Sequence, residues 1–77
     1  MKLPVLSANE IIKALSSVGF SVSRQSGSHF IMVKKERKEK VTVVVPKHRE
    51  LAKGTLLSII SQSGMSKEDF IKLVRKH

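Results

Sequence analysis

The sequence has no cysteine, no tryptophan and no tyrosine, and phenylalanine is its only aromatic, three times over. Without cysteine there is neither a disulfide framework nor a thiolate metal site. That composition agrees with a reducing cytoplasm, the expected location. With so few aromatics the chain has little on which to stack nucleobases. Long apolar runs are missing as well. Phe30–Val33 and Val41–Val45 fall far short of the roughly 20 residues that span a bilayer. Met1–Leu6 lacks the apolar stretch of a signal peptide, so no membrane partner is expected. Acid is scarce too, with six Asp+Glu against fifteen Lys+Arg, a formal charge of +9. A field of that sign attracts polyanions, and nucleic acid is the commonest large one.

A chain of 77 residues is expected to form one domain, since two would each fall below the usual stable size. Ser7-Ala8-Asn9-Glu10 has the form of a capping box. Ile11, Ala14, Leu15 and Val18 follow at helical spacing, and Gly19 is a fitting stop. A first helix is therefore predicted over Ala8–Val18. Phe20–Arg24 alternates apolar and polar residues like a half-buried strand. Ser26-Gly27 marks a tight turn before a second strand, His29–Lys34. Lys35–Lys40 is predicted to be a charged hairpin loop, and Val41–Val45 a third strand ended by Pro46. Short links make the sheet an antiparallel meander. Ile31 and Val33 point one way and Phe30 and Met32 the other, while Val41, Val43 and Val45 oppose Val44. A sheet with helices on one side ordinarily has a polar second face. Here that face is partly apolar, as for a surface awaiting a partner or a second copy. A second helix is predicted over Lys53–Ser63, stopped by Gly64. Ser66 then caps a short extra helix with acids in its first turn. The expected class is α+β in the order α-β-β-β-α, with a three-stranded antiparallel sheet and helices on one face.

Few kinds of chemistry are open to these residues. Three histidines are present. His77 ends the chain and is set aside. His29 and His48 are not at metal-binding spacing and no carboxylate cluster joins them, so no metal or other cofactor is expected. No Gly-rich phosphate loop exists. The acids sit mostly in caps or the charged hairpin, which disfavours a carboxylate pair. Ser28 beside His29 does not suggest a nucleophile, because strand neighbours point to opposite faces. Acid–base chemistry by histidine remains. RNA carries its own nucleophile, the 2′-OH, and needs a group that exchanges protons near neutral pH. Lysine and arginine would hold the phosphate. The competing reading of a lone strand histidine is structural, a ring with a satisfied hydrogen bond.

Several runs together carry a family resemblance. Gly19-Phe20, Arg24-Gln25-Ser26-Gly27-Ser28-His29, Val45-Pro46-Lys47-His48 and Lys53-Gly54-Thr55-Leu56 through Ile59-Ile60 and Gly64 resemble HicA toxins, the mRNA interferases of HicAB toxin–antitoxin pairs. The likeness covers about residues 8 to 70. It implies a fold like the double-stranded-RNA-binding domain, ribosome-independent cleavage of mRNA, and neutralisation by a HicB antitoxin that covers the active site. It implies that His29 is catalytic and that Gly27 and Ser28 form the approach to it. Gly27 is expected to let the backbone come close to phosphate. Arg24, Lys47 and Lys53 are candidate RNA contacts. His48 matches a second family position. It would bind phosphate, act as the partner acid or cap helix 2, and a supporting role is favoured. Homo-oligomers and toxin–antitoxin hetero-oligomers both remain open. The alternatives are a non-catalytic module that grips double-stranded RNA and a structural subunit that only assembles through its sheet.

Overall fold

The computed structural model describes residues 3–76. Met1, Lys2 and His77, with the expectation for the last residue, lie outside the described residues. The order of elements is α1 (Ala8–Ser16), β1 (Ser21–Ser26), β2 (His29–Glu36), β3 (Glu39–Pro46), α2 (Lys53–Ser63) and α3 (Lys67–Lys76). The three strands form one antiparallel sheet in the order β1-β2-β3. This is the α+β, double-stranded-RNA-binding-domain-like arrangement expected from the sequence.

Local chemistry explains where the helices begin and end. The capping box forms: Ser7 Oγ accepts from the Glu10 amide at 3.2 Å, and Glu10 Oε1 accepts from the Ser7 amide at 3.0 Å. Helix α1 stops two residues before the predicted Val18. Ser17 becomes the C-cap, its hydroxyl donating to the Ala14 carbonyl at 2.6 Å, and Val18 and Gly19 form the turn. Helix α2 has the predicted bounds, and Gly64 ends it with a φ of 78°. Ser66 Oγ accepts from the Asp69 amide at 3.1 Å and so starts α3. Helix α3 runs for ten residues to Lys76, as the cap at Ser66 and the apolar stripe that follows it predict.

The predicted six-residue loop Lys35–Lys40 is a correction. Glu36 pairs with Glu39 and Lys35 with Lys40, so the strands run on and only Arg37 and Lys38 form the turn. Charge does not distinguish a loop from a strand end that projects into solvent, and a hairpin needs only two linking residues. Arg37 has a φ of 51°, in the left-handed region where glycine is favoured.

The core lies between the sheet and the helices. Met32, Val43 and Val45 have no exposed surface and cluster with Ile11 and Leu15 of α1, Leu56 and Ile59 of α2, and Phe70 of α3. Phe30 and Val41 pack at the margin of the same cluster. Their register partners confirm the predicted alternation, with Phe30, Met32, Val43 and Val45 on one face and Ile31, Val33 and Val44 on the other. A bulge at Ser23 shifts β1 between Val22 and Arg24. It turns Arg24 to the outer face opposite Ile31 and leaves β1 exposed along its length.

Two stability predictions follow from this packing. Arg37→Gly removes an unfavourable left-handed residue, a cost of roughly 1–2 kcal/mol partly offset by the extra chain entropy of glycine. Its urea midpoint is expected to rise, and a fall would contradict the turn. Phe70→Ala empties the centre of the core at a cost of about 3–5 kcal/mol. That is comparable with the roughly 3–5 kcal/mol available to so small a domain, so circular dichroism is expected to show an unfolded chain. A cooperative unfolding transition close to wild type would mean that α3 is dispensable.

Candidate functional site

His29 is the first residue of β2, directly after the turn Gly27-Ser28. It pairs with Ser26 on one side and Pro46 on the other. Gly27 takes a φ of 55°, and a Cβ built on it would touch nothing within 4 Å. Glycine is therefore needed for backbone conformation, as at the first central position of a II′ hairpin turn. The empty space beside it leaves the approach to His29 open. Parity along β2 sends His29 to the face of Ile31 and Val33, away from the core.

Ser28 is a correction to the sequence reasoning. It belongs to the turn and not to the strand, so the rule that neighbours diverge does not hold for it. Its Oγ lies 3.4 Å from His29 Nδ1. This is long for a hydrogen bond, yet it places the hydroxyl against one ring nitrogen and leaves Nε2 free. His29 itself is exposed.

The wall of the site comes from α2. His29, Val44 and Pro46 share an open depression of about 360 Å³ with Gly54, Thr55, Ser58 and Gln62. Gln62 fixes the helix to the sheet. Its Oε1 accepts from the Val44 amide at 2.8 Å, and its Nε2 donates to Ser58 Oγ at 3.0 Å. The Val44 amide lies on the free edge of β3, so this contact also satisfies an otherwise unpaired donor. The first turn of α2 has Ala52 at its N-cap and no side-chain cap. Its amides carry the partial positive charge of a helix start, beside the depression.

The sequence-predicted residues divide between two places. Arg24 pairs with Ile31 on the outer face, diagonal to the Ser26–His29 pair. Such diagonal neighbours stand roughly 7–8 Å apart, within reach of a long side chain. Gly27 and Ser28 form the adjoining turn. Lys47 is bound to that turn only through its backbone, the amide donating to the Ser28 carbonyl at 2.7 Å. Its ammonium lies 5.0 Å from the centre of the Phe30 ring. Lys47, His48 and Arg49 line a second depression with Phe30 and the start of α1, Ser7, Ala8 and Asn9. His48 does not cap α2. Its carbonyl instead accepts from the Ala8 amide of α1 at 3.0 Å. Lys53 is the exposed first residue of α2 and lines neither depression.

Thr55, Ser58 and Gln62 were not singled out from the sequence. Their signal was present: at i, i+3 and i+7 they form a polar stripe on α2 beside the apolar one of Leu56, Ile59 and Ile60. Among the described residues no group of three or more His, Cys, Asp and Glu could hold a metal ion. No helix among them is long and apolar enough to cross a membrane. The site offers an exposed imidazole, hydroxyls, an amide side chain and free backbone donors. Those groups suit an anion whose protons are to be moved.

A comparison with curated proteins finds no match. A family model described as the HicA toxin of bacterial toxin–antitoxin matches residues 8–65. The matched stretch runs from the first residue of α1 through Met65 and contains the turn before His29, the whole sheet and α2. The chain belongs to the HicA family of toxins.

Proposed function

We propose that this toxin is a metal-independent endoribonuclease that cleaves mRNA in the cytoplasm and so blocks translation, with His29 as its acid–base group. The observation that carries the reading is the setting of His29 in a chain of this family. An exposed imidazole stands at the mouth of a glycine turn, facing the uncapped start of α2.

The reaction needs little else. The RNA 2′-OH attacks the adjacent phosphorus and loses its proton to a base. The 5′-oxygen of the next nucleotide leaves and takes up a proton. The products are a 2′,3′-cyclic phosphate and a 5′-hydroxyl. His29 Nε2, free of the Ser28 contact, is the nitrogen available for one of these transfers. The scissile phosphate lies against the first-turn amides of α2 and the hydroxyl of Thr55, with Arg24 within reach across the strand. These groups stabilise the charge that develops on the phosphorane. Gly27 and Ser28 shape the approach. Lys47, His48 and Lys53 contribute positive charge around the site, His48 from the separate depression and so in a supporting role.

A family of toxin–antitoxin systems implies a cognate antitoxin. That partner, of the HicB type, neutralises the toxin by covering the depression at His29. Purified toxin freed of its antitoxin is expected to convert single-stranded mRNA into fragments ending in 2′,3′-cyclic phosphate. His29→Ala is expected to slow cleavage by about 10²–10⁴-fold, the usual contribution of one general acid or base. Its circular dichroism should stay native, because the side chain is exposed. Cleavage at the wild-type rate by His29→Ala would remove His29 from the mechanism. RNA binding with no cleavage by the wild type would favour the non-catalytic double-stranded-RNA module instead.

A further inference from the structure

The outer face of the sheet is sorted by charge. By register it carries Arg24 and His29 toward one end and Lys35 and Lys40 at the other. None of the described residues on this face is acidic. The hairpin acids Glu36 and Glu39 pair with each other on the opposite parity. There Glu36 meets Lys34 at 3.0 Å, the one ion pair among the described residues. Lys35 and Lys40 have no such relief. They stand directly opposite each other across β2 and β3. Like charges in that position destabilise a sheet. They line one depression together with Ser21, Ser23, Val33 and Gly19, so that two hydroxyl-bearing and two ammonium-bearing residues share it. Two cations, two hydroxyl donors and no carboxylate form a receptor for a phosphate.

His29 and Lys35 are both on β2, six residues apart. At about 3.3 Å per residue this separates them by ~20 Å. Between them on this face β2 carries only neutral residues, half-buried Ile31 and buried Val33. A strand held at His29 and continued along this face meets no negative charge before it reaches the lysine pair.

We propose that Lys35 and Lys40, with Ser21 and Ser23, form a second phosphate site that holds the RNA several nucleotides from the cut, so that the substrate runs lengthwise across the outer face of the sheet. The proposal rests on the reading of the chain as an RNA-cleaving toxin. It adds the path of the substrate and assigns the hairpin a role in holding it. The like-charge pair is then relieved by the phosphate between its members, and the toxin requires a strand longer than the His29 depression alone can hold.

The test uses binding, so that it does not depend on cleavage. A fluorescent single-stranded 2′-O-methyl RNA lacks the attacking hydroxyl and stays intact whether or not the protein is a nuclease. Its affinity is measured by anisotropy over a range of salt for the wild type, for K35Q/K40Q and for the charge-matched K67Q/K72Q on α3. Each lost contact to a single strand lowers the steepness of the log–log salt dependence by about 0.7. K35Q/K40Q is therefore expected to bind more weakly with a slope shallower by about 1.4. K67Q/K72Q is expected to keep the wild-type slope. The thermal midpoint of K35Q/K40Q should equal or exceed that of the wild type, since repulsion has been removed, and a clear fall would contradict the premise. Equal losses in the two double variants would reduce the effect to net charge and overturn the site. Unchanged RNA binding combined with weakened binding of the antitoxin would also overturn it, and would give the lysine pair to a protein partner. Failure of the nuclease reading would appear elsewhere, as absent cleavage of unmodified RNA.

Discussion

The two-residue alternation of β2 is the constraint on which both the core and the site depend. Met32 has no exposed surface and lies beside Val43 in the centre of the core. His29, Ile31, Val33 and Lys35 have the opposite parity and are thereby turned outward. A slip of one residue would expose Met32 and send His29 toward the helices. The register is held by burial of Met32, Val43 and Val45, and the position of His29 is a consequence of that burial. The same constraint reaches β1, where the bulge at Ser23 turns Arg24 to the outer face opposite Ile31.

The second wall of the site depends on a single side chain. Helix α2 buries Leu56, Ile59 and Ile60, which fixes its rotation about its own axis. That rotation aims Thr55, Ser58 and Gln62 past the edge of β3. Gln62 then joins helix to strand at the Val44 amide and satisfies a donor that would otherwise be open to another strand. Pro46, further along the same strand, has no amide hydrogen to offer. The depression beside His29 and the satisfied Val44 amide on the edge of β3 thus have one origin. A small domain keeps few contacts in reserve, and here one polar contact both shapes the site and protects the fold.

Much of this was legible in the sequence, and the failures share a cause. The capping box at Ser7, the bounds of α2, the cap at Ser66 and the opposed faces of β2 and β3 are set by local chemistry or by strong periodicity. The sequence shows both directly. The hairpin was misjudged because alternating lysine and glutamate resemble a solvated loop, whereas a strand with both faces in water tolerates the same residues. Ser28 was misjudged because its side-chain direction depends on whether the strand has begun. The lining of the depression was missed because it depends on how α2 sits against the edge of β3, a tertiary fact. Nor did the spacing of His29 and His48 show that one lines a depression against α2 and the other a depression against α1.

The two faces of the sheet also differ in what they cost. The inner face holds nearly everything that stabilises the chain: the buried aliphatic residues, Phe70 and the one ion pair. The outer face holds exposed Val44, an imidazole without a firm hydrogen bond, and two lysines in opposition. Local conflicts of this kind are expected where function overrides stability. Glu36 and Glu39 also oppose each other, on the inner parity, but Glu36 has Lys34 as its partner, whereas the lysine pair has no such relief. On the proposed path of the substrate, a polyanion neutralises the lysines and meets the imidazole, so it relieves those conflicts at both ends of β2 at once. An antitoxin that presents carboxylates to the same face relieves them as well. On the proposed reading, RNA and antitoxin compete for one surface, and any ligand of the folded toxin stabilises it in proportion to how tightly it binds.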